Sequence, residues 1–451
     1  MPARLFGTDG VRGVANGDVL SPEVALALGR ASALYARERG ADRPVVVVGR
    51  DTRRSGPMLE DALCAGIAAA GGLALRAGVL PTPGIAWLVR EQGASLGVVI
   101  SASHNPFPDN GIKLFGSDGF KLGDDEEDRV EALMSDERAR PTGAGVGESR
   151  ALEGAAARYA AWAAGGGGTP IEVPSLRVLV DCAHGAASTV APLVFAQLGI
   201  DHEITAAEPD GVNINHRVGS THLDALASAV RAGSFDLGLA FDGDADRMLA
   251  VDADGTVVDG DQIIALLARD LQIAGGLAGD KVVVTSMSNL GFHRAMRDLG
   301  IETIVTEVGD RYVLAGMLEH GAVLGGEQSG HVIALDRQTT GDGLITAVLL
   351  LDALGRHHQP LAEAATIVRR FPQVLINVRA DRTRLADCCP IWEAVGRESA
   401  PLAATGSGRI VLRPSGTEPL VRVMVEHEDE HELHRIADAL ASEVERELGI
   451  A

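Results

Sequence analysis

Short runs of apolar residues, bounded by Gly, Asp or Ser, alternate along most of the chain with segments whose apolar residues recur every three or four positions. The first pattern predicts buried strands and the second amphipathic helices, and their alternation predicts parallel α/β units. One unit recurs three times. A run at 45–48 leads into Gly49-Arg50-Asp51-Thr52-Arg53 and a helix through Ala70. A run at 177–180 leads into Asp181-Cys182-Ala183-His184-Gly185 and a helix ending near Leu198-Gly199-Ile200. A run at 281–284 leads into Thr285-Ser286-Met287-Ser288-Asn289 and a helix ending near Leu299-Gly300-Ile301. The matched endings predict an internal repeat.

Each unit also supplies a later strand followed by a distinctive loop. The strand at 96–100 runs into Ser101-Ala102-Ser103-His104-Asn105-Pro106, and that at 237–241 into Asp242-Gly243-Asp244-Ala245-Asp246-Arg247. The strand at 322–324 runs into Gly325-Gly326-Glu327-Gln328-Ser329-Gly330-His331. Ligands of open α/β sheets bind beyond the carboxyl ends of strands, so three such loops predict three domains facing one cleft. After Phe371-Pro372 the pattern changes to strands at 374–378, 409–412 and 420–425 and a helix over 430–448. The expected fold is therefore three similar α/β domains with mixed sheets (1–150, 151–255 and 256–370) plus a C-terminal α+β domain (371–451), arranged around a central cleft.

Composition narrows the class. Of 451 residues 46% are apolar and 23% charged, as in a soluble globular protein. Acids outnumber bases 62 to 40, a net charge of -22, which argues against nucleic acid and anionic membranes. An anionic substrate then requires local clusters of Arg. The opening residues carry no signal-peptide pattern, and no apolar stretch reaches the ~20 residues of a membrane span. Cys64, Cys182, Cys388 and Cys389 show no metal spacing and read as buried free thiols of a cytoplasmic protein. Lys occurs only at 113, 121 and 281, against 37 arginines, so few cationic groups could act as acid or base.

Asp242, Asp244 and Asp246 alternate at a strand end. On extended backbone they would share a side and converge, a cluster suited to a hard divalent cation. An EF-hand is excluded by Arg247 and Ala253 at its sixth and twelfth positions, while a solvated acidic turn stays open. The Ser-His loop is compatible with nucleophilic chemistry or with an ordinary Asn-Pro turn. Arg413-Pro414-Ser415-Gly416-Thr417-Glu418-Pro419, with Arg422 behind it, could clamp a phosphate or be a plain turn. Glu327, Ser329 and His331 offer partners for sugar hydroxyls, unless their loop is only a Gly-rich strand-end turn.

Together with Phe6-Gly7-Thr8-Asp9-Gly10-Val11-Arg12-Gly13, these loops resemble the α-D-phosphohexomutases, in the family's order and along the whole chain. Val308-Gly309-Asp310-Arg311-Tyr312-Val313 and Thr339-Thr340-Gly341-Asp342-Gly343 are similar to the branch acting on glucosamine phosphates. The resemblance implies interconversion of glucosamine 6-phosphate and glucosamine 1-phosphate, supplying amino-sugar and cell-wall precursors, with glucose or mannose phosphates as the alternative substrates. It implies phosphorylation of Ser103, a catalytic sugar 1,6-bisphosphate, and one Mg2+ per subunit on Asp242, Asp244, Asp246 and the Ser103 phosphate. Arg247 would steady that phosphate, with Arg12 and His104 nearby. Glu327 and Ser329 would hold the sugar beside Gly309 and Asp310. Arg413, Ser415, Gly416, Thr417 and Arg422 would grip the phosphate that is not being transferred. Lys113 and His331 are the candidates for the proton acceptor, provided their surroundings lower their pKa values. The only partners implied are the small sugar phosphate and a second copy of the chain, through the first domain. A serine-dependent phosphatase would not need the second phosphate clamp, and a mere sugar-phosphate sensor would need neither Ser103 nor the Asp triad.

Overall fold

A computed structural model describes residues 4–7, 9–136, 138–168, 171, 173, 175–415 and 419–450. The first sheet holds β1 (Val11–Val14), β2 (Val45–Arg50), β3 (Leu73–Val79), β4 (Leu96–Ile100), β5 (Asp109–Gly116) and β6 (Glu148–Ala151), in the order β1-β5-β4-β2-β3-β6. The second holds β7 (Arg177–Asp181), β8 (Asp201–Thr205), β9 (Leu237–Phe241), β10 (Met248–Asp252) and β11 (Val257–Val258), in the order β11-β10-β9-β7-β8. The third holds β12 (Lys281–Thr285), β13 (Glu302–Thr306), β14 (Leu324–Gly326) and β15 (Val332–Ala334), in the order β13-β12-β14-β15.

The repeat seen in the sequence is a repeat of topology. In each sheet an opening strand (β2, β7, β12) lies between two parallel neighbours, and the second of these pairs with an antiparallel strand. All three opening strands are buried along most of their length, as parallel strands covered on both faces must be. The third loop-bearing strand starts later than its apolar run. Gly325 and Gly326 carry the ladder to β12, which requires backbone amides and carbonyls but no apolar side chain.

β16 (Gln373–Arg379), β17 (Gly408–Pro414) and β18 (Leu420–His427) form an antiparallel sheet in the order β16-β18-β17, packed against the helices Cys389–Thr405 and Glu430–Leu448. This C-terminal unit has its own core around Val421, Val423, Ile436 and Leu440, whereas one continuous core runs from Val47 to Val368. Cys64 and Cys182 are buried as expected, but Cys388 is only half-buried and Cys389 is exposed, because both lie at the start of a surface helix. Among the described residues no helix is long and apolar enough to cross a membrane.

Candidate active site

The loop after β4 turns sharply at Ser103, whose backbone takes a left-handed φ of 51°. Its side chain is buried and its Oγ donates to Asp242 Oδ2 at 2.6 Å, with His104 Nδ1 at 3.4 Å. The Asp242–Arg247 loop opposite is not extended. Ala245 lies at φ 56° and its N–H donates to the Asp242 carbonyl at 3.1 Å, so a tight turn gathers the carboxylates, and strand alternation does not. Gly243 is needed at this approach, since a Cβ there would stand 2.5 Å from the Ser103 carbonyl oxygen.

Asp242, Asp244 and Asp246 are buried and bring one oxygen each within 4.8 Å of one another. Thr82 Oγ1 donates to Asp244 Oδ2 at 2.6 Å, and Lys113 Nζ lies 3.2 Å from the same oxygen and 3.2 Å from Asp9 Oδ2. Asp244 Oδ1 and Asp246 Oδ1 are buried with no hydrogen-bond partner. Two orphaned carboxylate oxygens in an all-oxygen cluster fit Mg2+, which takes a few carboxylates and completes its shell with water or phosphate. Burial, then the neighbouring Asp246 and Asp244, push Asp242 well above the usual carboxylate range. Burial also acts to raise Asp246, but His331, Lys113 and Arg247 outweigh it and hold that carboxyl below the ordinary value.

The two candidate proton acceptors face this cluster. Burial alone would lower Lys113, but Asp244 and Asp9 outweigh it and hold the ammonium above its ordinary pKa. His331 behaves likewise, raised by Asp246 and Asp310 against burial. The condition that surroundings lower both values is therefore not met by the protein's own groups, because uncompensated carboxylates favour the charged forms. His331 Nδ1 stands 3.6 Å from Asp246 Oδ2, and Gly341 N–H donates to Nε2 at 3.2 Å. His104 differs: burial, then Arg247, lower its pKa to about 4, so its ring is neutral near neutral pH. Arg247 reaches toward the cluster, with Nε 3.9 Å from Asp246 Oδ1.

On the third domain, Glu327 Oε1 accepts from Gly309 N–H at 3.2 Å and Oε2 from Ser329 Oγ at 3.3 Å. Glu327 also acts electrostatically on Arg247 and on Arg413 of the C-terminal sheet, linking three of the expected groups across the cleft. Arg413 and Arg422 are register partners on β17 and β18, so two guanidiniums share one face. Burial, then Arg422, lower the pKa of Arg413. Ser415 is buried beside them, with its N–H donating to Leu420 O at 2.8 Å. Gly416 and Thr417, also expected here, lie outside the described residues.

Sequence reasoning missed several side chains that complete the site. β1 pairs with β5 at Arg12↔Gly111, which carries Asp9 to Lys113 along with the expected Arg12. Lys121 Nζ lies 2.6 Å from Asp9 Oδ1 and pairs with Asp310, tying the first domain to the third. Its rarity as one of three lysines was the available signal. Thr82, Asp51, Arg53 and Asn215 carried none.

The chain matches, in order, the family descriptions phosphoglucomutase/phosphomannomutase α/β/α domain I (residues 3–141), domain II (167–255), domain III (259–371) and C-terminal domain (375–443). It belongs to the phosphoglucomutase/phosphomannomutase family and is a phosphomutase, an enzyme of the isomerase class. It is 53% identical over 441 residues to a phosphoglucosamine mutase of Saccharopolyspora erythraea (97% of this chain, 98% of that one). A phosphoglucosamine mutase of Pelotomaculum thermopropionicum is 52% identical over 442 residues, again 97% and 98%. A Burkholderia thailandensis phosphoglucomutase/phosphomannomutase family structure superposes with a TM-score of 0.81 at 26% identity, covering 99% of both chains. An Aspergillus fumigatus N-acetylphosphoglucosamine mutase, solved with GlcNAc-6P and magnesium, shares the fold with a TM-score of 0.69 at 17% identity, covering 98% of this chain and 95% of that one.

Proposed function

We propose that the protein interconverts glucosamine 6-phosphate and glucosamine 1-phosphate through a phosphate carried on Ser103 and a sugar 1,6-bisphosphate. The observation that supports this most directly is Ser103 Oγ hydrogen-bonded to Asp242 within a buried three-carboxylate cluster that retains unpartnered oxygens. The relatives at about half identity are phosphoglucosamine mutases, which favours the amino sugar over glucose or mannose phosphates.

In the first half-reaction a sugar hydroxyl attacks the phosphoserine, so the Ser103 Oγ–P bond breaks and a sugar O–P bond forms. The hydroxyl proton leaves in the same step. Lys113 and His331 face the carboxylate cluster, and either can accept that proton only when a cation on the cluster offsets the carboxylates that hold both groups protonated. The freed Ser103 Oγ takes up a proton and becomes the hydroxyl seen here. The bisphosphate then turns round, its other phosphate returns to Ser103 Oγ as that hydroxyl loses its proton, and the freed sugar oxygen gains one. Arg247 and Arg12 offset negative charge at the transferring end, with neutral His104 beside the Ser103 hydroxyl. Glu327 and Ser329 orient sugar hydroxyls near Gly309 and Asp310. Arg413, Ser415 and Arg422 hold the phosphate at rest, with Gly416 and Thr417 in the same motif. Asp242, Asp244 and Asp246 would hold one Mg2+, which supplies positive charge to the transferring phosphoryl group.

Two measurements test this reading. Turnover of glucosamine, glucose and mannose phosphates side by side is expected to favour glucosamine by about tenfold or more, a difference of ~1.4 kcal/mol. A preference for either neutral sugar reverses the substrate assignment. Ser103→Ala is expected to abolish turnover with an unchanged melting temperature, and an active Ser103→Ala enzyme ends the phosphoserine mechanism.

A further inference from the structure

Neither the backbone carbonyl nor the amide of Ser103 joins a strand or helix. Both are held by side chains. Ser103 N–H donates to Ser101 Oγ at 3.0 Å, and Ser101 Oγ donates to Asp51 Oδ2 at 2.6 Å. The same Asp51 oxygen accepts from Arg53 Nε at 2.8 Å, so one carboxylate oxygen anchors both halves of the arrangement. Arg53 Nη2 donates to the carbonyls of Ser103 and Asn105, each at 2.8 Å. Its Nη1 donates to the carbonyls of Pro106 at 2.5 Å and Asp109 at 3.0 Å. All five N–H groups of the guanidinium are thereby used, three of them on carbonyls of the loop after β4 and a fourth on the first residue of β5. Asn215 Nδ2, from the second domain, adds a donor to the Ser103 carbonyl at 2.9 Å. Asp51, Arg53 and Ser101 are fully buried, and their side-chain hydrogen bonds described above go to one another and to the backbone around Ser103.

The physical need for such a scaffold is clear. A non-glycine residue in the left-handed region is strained and persists only where its surroundings over-determine it. Here that conformation carries the Oγ toward Asp242. A relaxed φ would swing the hydroxyl away from the carboxylate cluster. Arg suits the task because its planar fork reaches several carbonyls in fixed directions, whereas Lys is a single point of three donors.

We infer that Asp51, Arg53 and Ser101 are positioning residues for the Ser103 nucleophile, holding its left-handed backbone so that the Oγ faces the Asp cluster. This rests on the proposed role of Ser103. The scaffold touches neither sugar nor resting phosphate, so its loss separates chemistry from binding.

The test uses the full-length enzyme, phosphorylated by incubation with glucosamine 1,6-bisphosphate. Transfer from Ser103 to glucosamine 6-phosphate is followed by intact mass in a single turnover, alongside steady-state kinetics. Ser101→Ala removes one hydroxyl and Arg53→Lys keeps the charge but not the fork. Both are expected to slow transfer and kcat by about 10- to 100-fold, with KM within about twofold of wild type. Should Arg53→Lys fail to fold, Ser101→Ala decides alone, its melting temperature confirming an intact fold. Wild-type transfer rates in Ser101→Ala, or equal losses in KM and kcat, overturn the inference while leaving Ser103 as phosphate carrier. Absence of phosphate on Ser103 in the wild-type enzyme overturns the proposed function, and this inference with it.

Discussion

Asp244 shows how much a single carboxylate does in this site. One oxygen accepts from Thr82 Oγ1 and faces Lys113, while the other is buried without a partner. The first oxygen is held by protein groups, and the second is placed where a cation could bind. Asp244→Asn keeps the shape but substitutes a neutral amide, which supplies less charge to a hard ion. Mg2+ affinity, measured by calorimetric titration, is expected to fall about 10- to 100-fold. A titration matching wild type would remove Asp244 from the metal site.

Among the elements, β17 and β18 bring two guanidiniums to one face of the C-terminal sheet. Like charges directly opposite on neighbouring strands repel, yet Arg413 and Arg422 are register partners. A phosphate dianion between them turns the repulsion into charge-assisted bonding. On the proposed reaction the same clamp would hold phosphate at C6 in one half-reaction and at C1 in the other, so Arg422→Ala is expected to weaken both isomers comparably. Loss of one such contact is about 1.5–3 kcal/mol, roughly 10- to 150-fold in dissociation constant. More 1,6-bisphosphate should also escape into solution during turnover. Loss of affinity for one isomer only would contradict the two-orientation role.

The helix Gly260–Ile273 carries a second element-scale effect. Asp261, in its first turn, is fully buried and accepts from Asn289 N–H at 2.6 Å. Burial, then Asp259, raise its pKa from 3.8 to about 7. Between those values the unfolded chain has released a proton that the folded chain keeps. Stability therefore falls as pH rises from about 4 to 7 and levels off above that window. Asp261→Asn retains an acceptor and has no proton to lose, so it is expected to flatten the decline and melt higher than wild type at pH 8. Thermal denaturation across that pH range checks it. A steeper decline in the variant would show that ionised Asp261 stabilises the fold.

Over the whole molecule, a chain of net charge -22 concentrates two of its three lysines in the cleft. Lys121 joins Asp9 of the first domain to Asp310 of the third, and Arg311 adds a contact to Asp124 at 2.7 Å. The C-terminal domain has a core of its own. Lys121→Gln leaves Asp9 and Asp310 facing each other without a cation between them. KM for the sugar phosphate is expected to rise about tenfold, in line with one charged hydrogen bond, with transfer from Ser103 retained. A larger radius of gyration by small-angle scattering should accompany it. Unchanged KM and dimensions would show that apolar packing alone sets the distance between these domains.

Much of this architecture was legible in the chain itself. Apolar runs mark β4 and β9 at their observed limits and the C-terminal helix over its full length, because buried parallel strands and amphipathic helices impose composition directly. The loops bearing Ser103, the Asp triad and Arg413 stood out as residue types that strand ends can turn to chemistry. Their mutual geometry was not legible. The triad converges through a turn at Ala245, where the alternation rule pointed to extended backbone, and residue order alone does not reveal a left-handed φ. Thr82 meets Asp244 across 162 residues, and Asn215 meets Ser103 across 112. Such contacts depend on how sheets are stacked, and a polar side chain shows no periodicity that would announce its distant partner. The pKa values follow the same division: sequence names the titratable groups, but burial and the nearest charge, both products of packing, decide which way each one moves.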